Sequence, residues 1–210
     1  MSTDETEQTP DSVFLTAISI EMGLGLLALL LGWMTGVDPR QWIPRLEAGQ
    51  WAAIGQGLAI GAAAAIPILI AIELIERIDW EPIRQLKELE HLPIVSALLR
   101  LSWLELIAIS IAAGVGEELL LRGWLMAWIS GPLDEASPSI VLGALATSSI
   151  VFGLMHLITP TYAVIATFIG FYLGALALWT GNLLVPIAAH AVYDAVHLLL
   201  AKRHQQKSTA

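Results

Sequence analysis

The sequence predicts an all-α protein, a polytopic transmembrane bundle of about six spans, on three observations. Hydrophobic residues make up 56% of the 210-residue chain and charged residues only 14%, where a soluble domain carries roughly a quarter charged. Mean hydropathy is +0.72. The apolar residues gather in stretches of about 20, the length that crosses a ~30 Å hydrocarbon core. A chain so poor in polar surface needs lipid around it, and backbone in lipid must be helical or close into a barrel.

The expected spans cover residues 13–37, 51–75, 101–129, 140–158, 162–179 and 183–201. Turn signals separate them at Asp38-Pro39, Gly131-Pro132, Ser137-Pro138, Thr159-Pro160 and Gly181-Asn182. The third span is too long for a simple crossing and carries Gly114 and Gly116 near its middle. It is expected to tilt, kink or divide. Pro67 falls inside the second span, where a neighbouring helix can satisfy the carbonyl it frees.

The organisation predicted around these spans is simple. Residues 1–12 form an acidic, disordered tail containing Asp4, Glu5, Glu7 and Asp11, with none of the positive charge that opens a secretory signal. Residues 13–100 hold two spans and a hydrophilic connector. Within the connector Ile78, Ile83, Leu86 and Leu89 recur among Arg84, Lys87, Glu88 and Glu90, the pattern of an amphipathic helix in the membrane interface. A solvated connector would look similar. Residues 101–203 form the core that carries the chemistry, and 204–210 a polar tail. Lys and Arg set orientation. Arg77, Arg84, Lys87 and Arg100 share one side with Lys202, Arg203 and Lys207, against Arg40 and Arg45 on the other. Both termini are expected in the cytoplasm and the protein in the cell membrane.

Composition also excludes. A net charge of −9 argues against a nucleic-acid partner, which needs a basic face. The absence of cysteine removes disulfides, thiolate metal sites and cysteine nucleophiles. The partners left are the bilayer and molecules within it.

A charged side chain at the bilayer centre costs roughly 2.5–3.5 kcal/mol on insertion scales, so each needs a reason. The expected intramembrane charges lie in three segments. In Gly116-Glu117-Glu118-Leu119-Leu120-Leu121-Arg122, Glu118 and Arg122 stand i,i+4 on one helix face in the favoured order. Glu117 points about 100° away and is left needing another partner. The second segment is Phe152-Gly153-Leu154-Met155-His156. The third is His190-Ala191-Val192-Tyr193-Asp194, whose spacing lets Asp194 orient His190 or share a cation with it. His197 lies one turn further and reads as peripheral. Any one of these groups alone is explained by packing, and Glu117 and Glu118 alone by an ion-pair network. Three helices each carrying His or Glu point to chemistry. A Glu–His pair can hold a water and take its proton, and a second His on another helix can stabilise an oxyanion. Alternatively, Glu117, His156 and His190 have the ligand types of a catalytic divalent metal such as zinc. The residues leave the two mechanisms open.

Together these segments resemble the CPBP family (CAAX protease and bacteriocin-processing), the intramembrane endopeptidases that include type II CAAX prenyl endopeptidases. The family pattern of Glu-Glu-x-x-x-Arg, Phe-x-x-x-His and His-x-x-x-Asn or Asp is met in order by Glu117-Glu118…Arg122, Phe152…His156 and His190…Asp194. Similar context appears in Arg122-Gly123-Trp124-Leu125 and in Gly170…Gly174…Thr180-Gly181-Asn182-Leu183…Pro186-Ile187. The resemblance runs from Ala112 to about Leu200. It implies hydrolysis of a peptide bond in a membrane-associated protein or peptide. Glu117 and His156 would activate water, His190 and Asp194 would hold the oxyanion, and Glu118, Arg122 and Phe152 would support the site. Prenyl-processing members carry Asn where this chain has Asp194. An amide donates to an oxyanion while an ionised carboxylate only accepts, so this position departs from the pattern where it matters.

Other readings fit less well. A rhomboid-type Gly-x-Ser-x-Gly is absent, and Ser149 sits about 10 Å along the helix from His156. The His-Glu-x-x-His of zincins is also absent. Two alternatives from other classes use the same polar pocket. One is a proton-coupled transporter, which inverted repeats would favour; the other is a non-catalytic scaffold or immunity protein, which would tolerate loss of Glu117.

Overall fold

The computed structural model describes residues 9–45, 47, 49–89 and 92–208. Among them the chain is all-helical, without strands. Helix α1 runs Pro10–Thr35, α2 Trp51–Glu76, α3 Glu81–Glu88, α4 Pro93–Leu99 and α5 Trp103–Glu118. A π-helical segment, Leu119–Met126, continues α5 into α6, Ala127–Ser130. Then come α7, Pro138–Met155, α8, Pro160–Thr180, and α9, Leu184–Ser208. Five of these helices are long and apolar enough to cross a membrane, and the bent pair Pro93–Leu99 and Trp103–Ser130 makes a sixth candidate.

Helix boundaries follow local chemistry. Proline stands at the start of α1, α3, α4, α7 and α8, where its missing N–H removes a donor that would be orphaned anyway. Thr9 and Thr159 cap α1 and α8 through their hydroxyls. Gly36 and Gly181 end α1 and α8 in the left-handed conformation that an L side chain rarely adopts. Because α1 begins at Pro10, the last residues of the expected tail are already helical. The rest of that tail, residues 1–8 with Asp4, Glu5 and Glu7, lies outside the described residues, as do Glu90 of the connector and 209–210 of the C-terminal tail.

The connector holds two short helices: α3, which carries Ile83 and Leu86 of the expected amphipathic pattern, and α4. Pro93 starts the second, and the chain then turns by 115° into α5. A capping box closes that turn: Ser102 N–H donates to Glu105 Oε2 at 2.7 Å, and Glu105 N–H to Ser102 Oγ at 3.3 Å. Lys202 near the end of α9 donates to the Leu99 and Leu101 carbonyls at 2.8 and 2.7 Å, and Gln205 donates to Ser96 at 2.9 Å. The connector and the C-terminal end of α9 therefore sit at the same end of the bundle.

The third span neither kinks nor divides at its glycines. Gly114 and Gly116 lie within regular α5 and serve close packing instead. A Cβ on Gly116 would run into the Glu21 carbonyl oxygen of α1, and one on Gly114 would meet the Ile187 carbonyl of α9 at 2.8 Å. The irregularity lies one turn later, at Leu119–Met126, immediately after the two glutamates; π-helical turns concentrate at functional sites. Small residues also line α2, where Gly57 and Gly61 leave no room for a side chain against Asn182 and Val185. Near Pro67, Tyr172 of α8 donates to the Ala64 carbonyl at 3.0 Å.

Candidate functional site

The polar core is built where α1, α5, α7 and α9 approach one another. Glu118 and Arg122 form the expected i,i+4 pair, with Arg122 Nη1 donating to Glu118 Oε1 at 2.6 Å and both side chains 0% exposed. Arg122 is held further by donating from Nη2 to the Gly170 carbonyl at 2.8 Å and by lying over the Phe152 ring, 4.9 Å from its centroid. The same Glu118 Oε1 is 3.1 Å from His190 Nδ1. One carboxylate oxygen thus anchors both a cation on its own helix and an imidazole on α9.

The sequence offered Asp194 to His190, either to orient the ring or to share a cation with it. Glu118 engages Nδ1, and Asp194 lies within electrostatic range of the same ring. The close packing of α5 on α9 at Gly114 brings the Glu118 carboxylate across.

His156 sits at the C-terminal cap of α7. The helix stops at Met155, short of the expected end at residue 158, so His156 lies at the turn into α8 rather than inside a span. Its Nδ1 is 2.8 Å from the Phe152 carbonyl. A carbonyl only accepts, so Nδ1 carries the proton and Nε2 is left as an acceptor. Phe152 joins the two histidines, with ring centroids 4.6 Å from His156 and 5.6 Å from His190. Tyr162 meets His156 edge-on at 5.8 Å, and Tyr193 stacks on His190 at 5.1 Å. The supporting role expected of Phe152 has a concrete form: its ring separates and aligns both imidazoles and backs the Arg122 guanidinium.

Glu117 is 6% exposed, and its Oε2 is buried without a hydrogen-bond partner. It lies within electrostatic range of His190, Asp194, Glu118 and Arg122. Arg122 is already committed to Glu118, as the 100° offset between the two glutamates anticipated. A buried carboxylate oxygen without a donor is costly unless something arrives to fill its lone pairs.

The sequence reading missed Glu21. It is the one charged residue between positions 13 and 37, and that isolation in an apolar span was the available signal. Its Oε2 is buried without a partner, and Glu117, Asp194, His190 and His156 are in electrostatic range. The intramembrane charges therefore fall in four segments, not three. Tyr162 and Tyr193 were likewise passed over, because an aromatic residue in an apolar helix reads as packing.

Ser149 gives no support to a serine nucleophile, since its hydroxyl donates to the Leu145 carbonyl at 2.7 Å. Among the described residues no group of three or more His, Asp or Glu side chains is arranged to hold a metal ion. With Nδ1 of His156 turned to the Phe152 carbonyl and Nδ1 of His190 to Glu118, the Nε2 atoms are the ring nitrogens left to face water, substrate or a cation. A cavity of about 530 Å³ near Trp42, Gln56 and Asn182 shares none of these residues.

Residues 99–196 match the family model described as type II CAAX prenyl endopeptidase Rce1-like. The uncharacterized protein YpbD of Bacillus subtilis (strain 168) is 33% identical over 94 residues, covering 43% of this chain and 42% of that protein. The chain thus spans less than half the length of this relative. No solved structure matches. The matched segment begins just before α5, ends just after Asp194, and contains all three motifs in order. With its apolar helices, the chain is an integral membrane protein whose residues 99–196 are similar to the Rce1-like family.

Proposed function

We propose that this protein is an intramembrane endopeptidase that hydrolyses a peptide bond in a membrane-associated protein or peptide, using a water activated by Glu117. The observation that carries the proposal is the buried, unpartnered Glu117 Oε2 within electrostatic range of His190, whose Nδ1 is held by Glu118. The similarity of residues 99–196 to the Rce1-like family model supports the reaction class.

The chemistry assigns a job to each group. Water bound between Glu117 and the free Nε2 of His156 loses a proton to Glu117 as its oxygen attacks the scissile carbonyl. The carbonyl π electrons move onto oxygen. His190 donates from Nδ1 to Glu118; in its doubly protonated form it also donates from Nε2 to that oxyanion. The tetrahedral intermediate collapses, the C–N bond breaks, and Glu117 returns its proton to the leaving amine. Glu118 and Arg122 hold His190 without touching substrate. The site is expected to lie in the cell membrane with both termini cytoplasmic, following the Lys and Arg asymmetry.

The test is to reconstitute the purified chain in vesicles with a library of membrane-anchored peptides, prenylated and not, and to sequence the products. Site-specific cleavage that persists with chelator is expected. No cleavage of any peptide would overturn the proposal.

Asp194 provides a second measurement. Asp194 lies within electrostatic range of His190, and an interaction of about 1.4 kcal/mol is worth a factor of ten. Asp194→Asn is expected to lower cleavage about tenfold rather than abolish it, because Glu118 still anchors the ring. Rates for both chains across pH, with a chelator control, decide the matter. Equal or higher activity of the variant at neutral pH, unaffected by chelator, would assign position 194 a neutral donor role at the oxyanion.

A further inference from the structure

We propose that Glu21 on α1 determines specificity by accepting a basic side chain, Lys or Arg, of the substrate beside the scissile bond. The inference rests on the peptidase reading of the site and extends it to the chemistry of the residue flanking the cut.

The first ground is position. Gly25 lies against Gly116, and the Glu21 carbonyl occupies the space that a Gly116 side chain would need. Helix α1 is therefore pressed onto α5 at the level of Glu117. The Glu21 residue is half-buried, yet its Oε2 is fully shielded and has no hydrogen-bond partner. The carboxylate lies within range of Glu117, Asp194, His190 and His156, which are the groups on which the reaction would run.

The second ground is charge. Arg122 is the cation buried in the site, and it is spent on Glu118 and the Gly170 carbonyl. Glu118 also takes His190. Glu21, Glu117 and Asp194 remain without an ammonium or guanidinium partner among the described residues. Glu117, independently, presents a nine-tenths-buried side chain with its own unpartnered oxygen. Uncompensated carboxylates in an apolar slab are costly, and so is a substrate Lys or Arg drawn into the same slab. Pairing the two offsets both costs, and it happens only when substrate is in place. Glu21 is better placed for this than Glu117, whose oxygen is needed by the attacking water.

The full chain in vesicles tests the inference with pairs of anchored peptides that differ only beside the cleaved bond, Lys against norleucine and Arg against citrulline. Wild type is expected to favour the basic member by roughly tenfold or more in kcat/KM. Glu21→Gln should bring that ratio close to one, Glu21→Asp should keep part of it, and Glu21→Lys should favour an acidic residue instead. A parallel arm measures peptide binding to Glu117→Gln, where the same preference should appear in Kd and vanish on adding Glu21→Gln. A wild-type chain that cleaves both members of each pair equally overturns the inference whatever the variants do. So does a Glu21→Gln chain that cleaves both more slowly at an unchanged ratio, which would move Glu21 into the reaction itself. If nothing is cleaved while the binding preference and its dependence on Glu21 persist, the peptidase reading fails and the specificity role stands.

Discussion

Glu117→Gln is expected to abolish peptide cleavage while leaving the protein inserted and folded. The substitution is nearly isosteric, and Glu117 Oε2 makes no hydrogen bond that the folded chain would lose. What disappears is the ability to take a proton from water. General-base contributions run to roughly 10²–10⁴-fold, and the loss should approach the upper end. Single-turnover cleavage together with thermal unfolding in detergent checks both halves. Turnover within tenfold of wild type, with unfolding unchanged, would remove Glu117 from the role of base. It would also revive the non-catalytic readings of the pocket.

Glu118→Gln should behave in the opposite way, through the fold first. Its Oε1 accepts from Arg122 at 2.6 Å and from His190 at 3.1 Å, and both it and Arg122 are fully buried. Removing the charge strands a guanidinium in the core, and breaking a buried pair from one side costs roughly 3–5 kcal/mol. The variant should unfold at clearly lower temperature and lose activity, since His190 also loses its anchor. Replacing the pair together, Glu118→Leu with Arg122→Leu, separates the two effects. Two apolar residues of similar bulk restore much of the stability, but nothing then holds His190, so cleavage stays low. If Glu118→Gln instead melts like wild type with no turnover, while Glu117→Gln remains active, the roles of the two glutamates are reversed.

Some of this site was legible from residues alone because the relevant physics is local. The Glu118–Arg122 pair follows from four-residue spacing on one helix, and the offset of Glu117 from the 3.6-residue period. The bond from Glu118 to His190 joins residues 72 positions apart, and no periodicity announces it. Sequence spacing favoured Asp194 as the partner of His190, since a residue one turn away is always in reach. The distant carboxylate reaches Nδ1 because α5 and α9 pack without side chains between them at Gly114. Glu21 was overlooked for a related reason. One carboxylate in a long apolar run has no local partner to give it meaning, and it joins the site only because α1 crosses α5 at Gly116.

The sequence by itself determined that this chain lives in lipid, that it is helical, and where its three motif segments lie. These follow from composition and from the cost of charge in hydrocarbon, which act on each segment separately. Only the tertiary structure decided that the third span stays straight through its glycines and changes to a π-helix just after Glu118. It likewise broke the connector into two helices, put His156 at a helix end and brought a fourth carboxylate to the site. Each of these depends on which helix lies against which. In a membrane that choice rests on small-residue packing and on pairing a few buried charges across the bundle, and neither partner of such a contact identifies the other in one dimension.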